Sequence, residues 1–181
     1  LAGAARRLDS IWDDVQKAYR TLHTPNRLTK LTLSTFCNKE RPWSSPPDMK
    51  SKAAEIRHLV PALAVVTRAR AHDGVLMHCA VALEHLAKFY LECDGQDIFM
   101  ARESCERAFA WMRSALQHYI WLHSHFEDTV LFPVRPKLHW SYHIGAMAKF
   151  QNPRSQWTYK QEDWVGRIAF LAHSCSHGTA T

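Results

Sequence analysis

Apolar residues recur at three- and four-residue spacing along most of the chain, with polar residues between them. This spacing places the apolar side chains on one face of a helix, so each such segment predicts an amphipathic helix. The segments are residues 4–23, 51–71, 75–93, 97–126, a stretch beginning near Pro136, and a stretch following Thr158. We therefore predict an all-α fold, an irregular bundle of about six helices, with residues 1–181 forming a single domain.

Three segments interrupt or complicate this pattern. Residues 38–50, NKERPWSSPPDMK, predict an irregular loop because proline removes backbone donors and restricts the residue before it. Leucine and threonine alternate in residues 27–37, which fits either a short strand at 28–36 or a short helix. Pro61 lies inside the second predicted helix, so a kink or a break is expected near His58.

The third predicted helix, residues 75–93, has apolar residues on more than one face, which predicts a central position in the bundle. The sixth begins at Thr158, which forms a capping-box pattern with Gln161. Glu162 and Asp163 suit the positive end of that helix dipole. An apolar stripe then follows at Trp164, Ile168, Leu171 and Cys175.

Net charge and composition narrow the classes of partner and location that the protein can have. The net charge of +6 favours a polyanionic partner only if the basic residues share one face, and they are spread along the chain. Solvated helix faces explain the same charges. No apolar run approaches the ~20 residues that span a bilayer. The charged N-terminus differs from a signal peptide, so we predict an intracellular protein without a membrane partner.

The cysteines and the chain ends add two expectations. Five cysteines without any CxxC pair predict free thiols rather than a disulfide framework or a zinc knuckle. The sequence starts at Leu1 rather than Met and stops just after a predicted helix, so we expect a piece of a longer protein.

Histidines are the main candidates for metal chemistry. His139 and His143 stand four residues apart, on one helix face, with a third ligand expected from Glu162, Asp163 or His173. Packing along a seam between helices explains the pair equally well. The other histidines predict helix capping and core packing, and they are His118, His123 and His125 in one group and His78 and His85 in another.

Motifs for nucleotide binding and hydrolysis are missing from the sequence. It contains no GxxxxGK[ST], GxGxxG, GxSxG or HExxH pattern.

One stretch resembles a known group of proteins. Residues 136–168, PKLHWSYHI followed by NPRSQWTYKQEDWVGRI, resemble the C-terminal part of DDE-type transposase-like proteins with a ribonuclease-H-like core. Residues 52–63, KAAEIRHLVPAL, are similar in style to the helical region that interrupts such a core. Together these stretches cover about a quarter of the chain.

The resemblance implies a helical portion of a mobile-element-derived protein that processes DNA, in the nucleus. It implies that Glu162 is the last catalytic acid, with Asp163 as the alternative, and that Mg²⁺ is held together with two aspartates. This chain lacks strands to carry those aspartates, so they are expected upstream in the parent chain, and the chain alone is catalytically incomplete. Basic residues expected near phosphate are Arg135, Lys137, Arg154, Lys160 and Arg167.

Two alternatives belong to other classes. A non-enzymatic helical interaction module would use its histidines and tryptophans for packing alone. A helical metalloprotein would bind a cation through histidine and carboxylate, although the Glu-x-x-His pairs of di-iron bundles are missing.

Overall fold

The computed structural model describes residues 2–36, 47, 49 and 51–156, and within them the chain is helical. The six α-helices are α1 Ala2–Thr21, α2 Leu33–Phe36, α3 Ala53–Arg70, α4 Gly74–Asp94, α5 Arg102–His125 and α6 Pro136–Met147. A 3₁₀ turn follows at Pro153–Gln156. The all-α prediction is confirmed, while the predicted helix after Thr158 lies outside the described residues.

The strand alternative for residues 28–36 is wrong, since Leu33–Phe36 forms a short helix and no strand occurs in the part of the chain described. Thr32 accepts a hydrogen bond from the Thr35 backbone N–H at 2.9 Å, and the Thr35 hydroxyl accepts one from the Thr32 N–H at 3.0 Å. Threonine hydroxyls that bond their own local backbone in this way favour a turn over an extended strand.

The long helices start where local chemistry satisfies their free N–H groups. The carboxylate of Asp73 accepts from the Leu76 N–H at 2.7 Å and caps α4. At α3 the carboxylate of Glu55 accepts from the Lys52 N–H at 3.3 Å. Helix α6 begins with Pro136, whose missing donor costs nothing in a first turn.

Helix α3 runs through Pro61 without a break, so the predicted break near His58 is wrong. The neighbouring Leu59, Val60 and Ala62 are all buried. Burying an aliphatic side chain contributes about 1.5–3 kcal/mol, which offsets the backbone hydrogen bond that proline removes.

Two apolar clusters make up the interior. The first joins α1, α3 and the segment between them, and its buried members are Val15, Ala18, Tyr19, Leu28, Leu31, Leu59, Ala62 and Val66. The second joins α4, α5 and the end of α6, and its buried members are Phe89, Cys93, Cys105, Ala108, Met112 and Ala148. Helix α4 packs against both α3 and α5, which confirms its predicted central position.

Charged pairs connect neighbouring helices at the surface. Arg70 of α3 pairs with Asp14 of α1, and Arg107 of α5 pairs with Glu92 of α4, the latter at 2.8 Å. Because these side chains are largely solvated, each pair contributes little to the free energy of unfolding. No helix among the described residues has the length and apolar character needed to cross a membrane.

Candidate functional site

The residues predicted to be catalytic, Glu162 and Asp163, lie outside the described residues. The same holds for Lys160 and Arg167. Their proposed roles in metal and phosphate binding therefore stay predictions.

The three remaining basic candidates are exposed but separated. Arg135 and Lys137 flank Pro136 at the start of α6. Arg154 lies beyond the other end of this helix, where its Nε is 3.3 Å from an Asp94 carboxylate oxygen and its guanidinium also donates to the Asp94 carbonyl at 3.2 Å. The twelve residues of α6 correspond to about 18 Å. The structure thus keeps Arg135 and Lys137 together and places Arg154 in an ion pair elsewhere.

His139 and His143 lie side by side on one face of α6, as their spacing predicts, but both are exposed, so the alternative that they pack in a seam between helices is wrong. Their Nε2 atoms are 2.9 Å apart, and the ring centroids are 4.4 Å apart. Two imidazoles at this distance can both reach one cation. Among the described residues no cluster of three metal-ligating side chains occurs, so the pair alone provides two ligands there.

A second histidine group lies in the seam between α4 and α5. The Nδ1 atoms of His78 and His118 are 3.0 Å apart, and the Nδ1 of His85 is 2.8 Å from the Ser114 hydroxyl oxygen. His78 also stacks on Trp121, with centroids 3.6 Å apart and planes 13° apart. This arrangement agrees with the packing role predicted for His78 and His85, whereas His118 packs between the two helices instead of capping α5 as predicted.

Burial disfavours the protonated form of two of these imidazoles, His85 and His118. Desolvation lowers the pKa of His85, and the nearby Lys88 and His118 lower this pKa further. Desolvation followed by the proximity of His78 lowers the pKa of His118. A hydrogen bond between His78 and His118 requires one ring to donate and the other to accept, so the contact depends on at least one neutral ring.

His123 makes a different contact from the predicted helix cap. Its Nδ1 is 3.0 Å from the carbonyl oxygen of Phe132, in the segment that leads into α6. Phe132 adopts a positive φ of 50°, a backbone conformation that costs free energy for a residue with a side chain. His123 therefore holds the connection between α5 and α6 rather than the end of its own helix.

The cysteines of the described region are free, as predicted, and unreactive. Cys93 is buried, and desolvation is the largest cause of a pKa raised to about 12. Burial also raises the pKa values of Cys79 and Cys105. Because the thiolate is the nucleophile and the metal ligand, these thiols are poor candidates for either role.

A concave feature lined by described residues was not predicted from the sequence. It is a groove of about 460 Å³ whose floor is α5 and whose walls are α4 and α6. Its lining is almost entirely apolar and consists of Ala82, Leu83, Leu86, Phe89 and Tyr90 from α4, Met112, Ala115, Leu116 and Tyr119 from α5, and Leu138, Ser141 and Ile144 from α6. We call this feature the α4–α6 groove.

Helix α6 adds apolar surface next to this groove. Trp140, Ile144 and Met147 follow one another at helical spacing and are 65%, 39% and 46% exposed. Another side of α6 packs on α5 through Gly145, so α6 exposes large apolar side chains beside the polar His139 and His143 as well as packing on α5. Contiguous exposed apolar side chains of this kind often mark a surface that binds a partner. This composition was the sequence signal that could have predicted the groove.

The arrangement is suited to binding an apolar helix rather than a charged small molecule. The only lining residues with polar side-chain atoms are Ser141 and the two tyrosines, Tyr90 and Tyr119. The Tyr119 hydroxyl already donates to the Pro133 carbonyl at 3.1 Å.

Comparison with protein-family models, curated proteins and solved structures found no match to this chain.

Proposed function

We propose that this chain is a non-enzymatic helical scaffold that holds an amphipathic helix in the α4–α6 groove. The observation that supports the proposal is the apolar lining of that groove, which is continuous across three helices. Apolar side chains at i, i+3, i+4 and i+7 on one helix face fill grooves of this kind.

The surroundings of the groove support the same function. Soluble proteins rarely leave contiguous apolar patches larger than a few hundred Å² without a partner. Here the groove continues into an α6 face that exposes Trp140 and Met147. The affinity would come from burying the groove lining against the apolar face of the bound helix.

Binding of a model peptide tests the scaffold function. The probe is a fluorescent amphipathic helix with leucines at i, i+4 and i+7, titrated into the full chain. Ile144→Glu places a charge in the groove wall and should weaken binding at least tenfold, since a carboxylate would have to be buried against leucine.

The matched control is Met147→Glu. Met147 lies on the same helix with similar exposure but does not line the groove, so this variant should bind within about twofold of the unmodified chain. A peptide that does not bind, or that binds both variants equally, would remove the support for a helix-docking groove.

A second candidate function is contact with DNA as part of a transposase-like protein. The observation that favours it is the pair of exposed cations, Arg135 and Lys137, on either side of the α6 start, close in sequence to the exposed ring of Trp140. Cations that track phosphates together with exposed aromatic rings are typical of single-strand binding surfaces. In this proposal Glu162 would supply a Mg²⁺ ligand to catalytic residues of the parent chain.

A further inference from the structure

We propose that His139 and His143 chelate one divalent transition-metal ion of the Ni²⁺ or Cu²⁺ class on the exposed surface of α6. The site uses side chains of α6 alone and is separate from the groove to which the scaffold function is assigned. Three observations support it: the distance between the two donor atoms, the contacts that hold the rings, and the position of the pair on the helix.

The distance between the donor atoms indicates which ions fit. The Nε2 atoms of His139 and His143 are 2.9 Å apart. With metal–nitrogen bonds of about 2 Å, this separation corresponds to an angle of about 90° at the ion, whereas tetrahedral coordination needs donors about 3.3 Å apart. Right-angled positions are typical of Cu²⁺ and Ni²⁺, and tetrahedral positions are typical of Zn²⁺. Imidazole nitrogens also disfavour Mg²⁺ and Ca²⁺, which prefer oxygen ligands.

Without an ion the same contact is a hydrogen bond between the two imidazoles, in which one Nε2 donates and the other accepts. An ion can bind both Nε2 lone pairs when each neutral ring carries its proton on Nδ1. Binding therefore requires a change of tautomer in the donating ring, and it leaves the two Nε2 atoms at their present separation.

Neighbouring rings hold the imidazole of His143 in place. Its centroid lies 6.2 Å from that of Trp140 and 5.9 Å from that of Tyr142. Tyr142 in turn packs edge-to-face on Phe109 of α5, with centroids 5.3 Å apart. Because the ring is already restricted, binding an ion costs less side-chain entropy than it would for two freely rotating histidines.

The backbone that carries the pair is fixed as well. Both histidines lie within α6, which Gly145 brings against Met112 of α5. Both are exposed, so a hydrated ion reaches them directly from solvent. Within the described part of the chain no third histidine, cysteine, aspartate or glutamate joins them, so the remaining coordination positions there are left to water.

The pair lies on a different face of α6 from the groove. The residues of α6 that line the groove are Leu138, Ser141 and Ile144. At about 3.6 residues per turn, His139 and His143 lie about half a turn around the helix from them. A bound ion would therefore leave the groove free, and the metal site can be tested separately from the scaffold function.

Titration of the full chain with NiCl₂ in a calorimeter tests the proposal. Ni²⁺ is the probe because, unlike Cu²⁺, it does not oxidise thiols, and the chain contains five cysteines. His139→Gln and His143→Gln should each weaken the tightest Ni²⁺ binding at least tenfold, because a single donor replaces a chelating pair. His118→Gln, which removes one member of the histidine pair between α4 and α5, should change this affinity by less than about twofold.

Two double variants of identical composition test the spacing, and both use the exposed Met147. His139→Gln, Met147→His leaves imidazoles at positions 143 and 147, which again share one helix face one turn apart. His143→Gln, Met147→His leaves them at positions 139 and 147, about 12 Å apart along the helix axis and too far to share an ion. The first variant should bind Ni²⁺ at least tenfold more tightly than the second.

Three outcomes would overturn the proposal. Equal Ni²⁺ binding by the two double variants would mean that the number of histidines, and not their spacing, governs the affinity. Tight binding that survives the combined change His139→Gln, His143→Gln, or that is lost in His118→Gln, would place the ion elsewhere. Binding of Zn²⁺ at least as tight as that of Ni²⁺ would contradict the right-angled geometry. The α6 variants change exposed side chains, so their far-UV circular dichroism should match that of the unmodified chain.

Discussion

At the scale of single residues, Gly145 decides how closely α6 approaches α5. A Cβ at this position would lie 2.9 Å from the Met112 Cβ and 3.0 Å from its Cγ. We expect Gly145→Ala to lower the free energy of unfolding by about 1–3 kcal/mol, because a packed interface has no room for the extra methyl group. Urea denaturation measures the effect.

The control for Gly145→Ala is Gly74→Ala in the first turn of α4. Nothing lies within 4 Å of a Cβ at Gly74. The change there should stay within about 0.5 kcal/mol. Equal unfolding midpoints for the two variants would contradict the tight contact between α5 and α6.

Asn152 is the second residue with a large expected effect. Its amide donates to three backbone carbonyl oxygens, and its own carbonyl oxygen accepts from the Arg154 N–H at 3.0 Å. In Asn152→Asp the three carbonyl oxygens would face a carboxylate, which has no N–H group to donate to them. We expect a loss of about 3 kcal/mol in the free energy of unfolding, measured by urea denaturation.

The neighbouring residue Gln151 provides a matched control for Asn152→Asp. Gln151→Glu replaces the same amide by a carboxylate at a half-buried residue whose side chain accepts one bond from Gln156. This control should cost less than about 0.5 kcal/mol. If Asn152→Asp unfolds at the urea concentration of the native chain, Asn152 does not anchor the end of α6 to α4.

At the scale of elements, the seam between α4 and α5 should make stability depend on pH. The folded state lowers the pKa values of His85 and His118 below the ordinary 6.5, chiefly by desolvation. The unfolded chain therefore takes up protons first as the pH falls. The contribution of these two histidines to the free energy of unfolding is therefore complete above pH 6.5 and is lost as the pH falls below 6.5. We expect a lower free energy of unfolding at pH 5.5 than at pH 8.

The ion-paired carboxylates Glu84 and Glu92 should not contribute to the change in stability between pH 8 and pH 5.5. Arginine partners lower the pKa values of Glu84 and Glu92 below the ordinary 4.5, so the contribution of these pairs is lost only in more acidic solution. His118→Gln should reduce the difference between pH 8 and pH 5.5, whereas the exposed His72→Gln should retain it. If His118→Gln leaves the difference in stability between pH 8 and pH 5.5 unchanged, the histidines between α4 and α5 do not cause the pH dependence.

At the scale of the whole molecule, the net charge of +6 becomes useful to DNA binding only where cations share a surface. If the start of α6 contacts phosphates, the double variant Arg135→Ala, Lys137→Ala should weaken DNA binding. It should also reduce the slope of log K against log salt concentration by about 1.4, or about 0.7 for each lost contact with single-stranded DNA. Fluorescence anisotropy over a salt series measures both quantities.

The control for this variant removes the same charge from a different part of the chain. Arg20→Ala, Lys30→Ala changes two exposed cations, one in the last turn of α1 and one in the segment between α1 and α2, and should leave the slope unchanged. Equal losses in the two double variants would indicate binding by net charge alone, without a surface at α6.

How much could be predicted differs between the fold and the site. The positions of α1, α3, α4, α5 and α6 follow from apolar spacing to within a few residues, since that spacing is a property of neighbouring residues. The contact between His139 and His143 was predictable for the same reason, because four residues make about one helical turn. By contrast, α2 was ambiguous, since leucine and threonine alternate there without favouring one structure.

Contacts between distant residues could not be predicted in this way. Nothing near Asn152 in the sequence indicates that its amide binds carbonyls at residues 93, 96 and 97. The pairing of His78 with His118 likewise joins two helices across 40 residues. Arg154, which belongs to a basic set by sequence, pairs after folding with the Asp94 carboxylate, which also pairs with Arg57.

The amino-acid sequence by itself determined that this protein is helical, where its main helices lie and which of them is central, because helix formation depends on residues three and four apart. Only the tertiary structure decided that α4 and α6 both pack on α5 and leave an apolar groove between them. That outcome depends on the volumes of side chains from three separate helices, which meet only after the chain has folded.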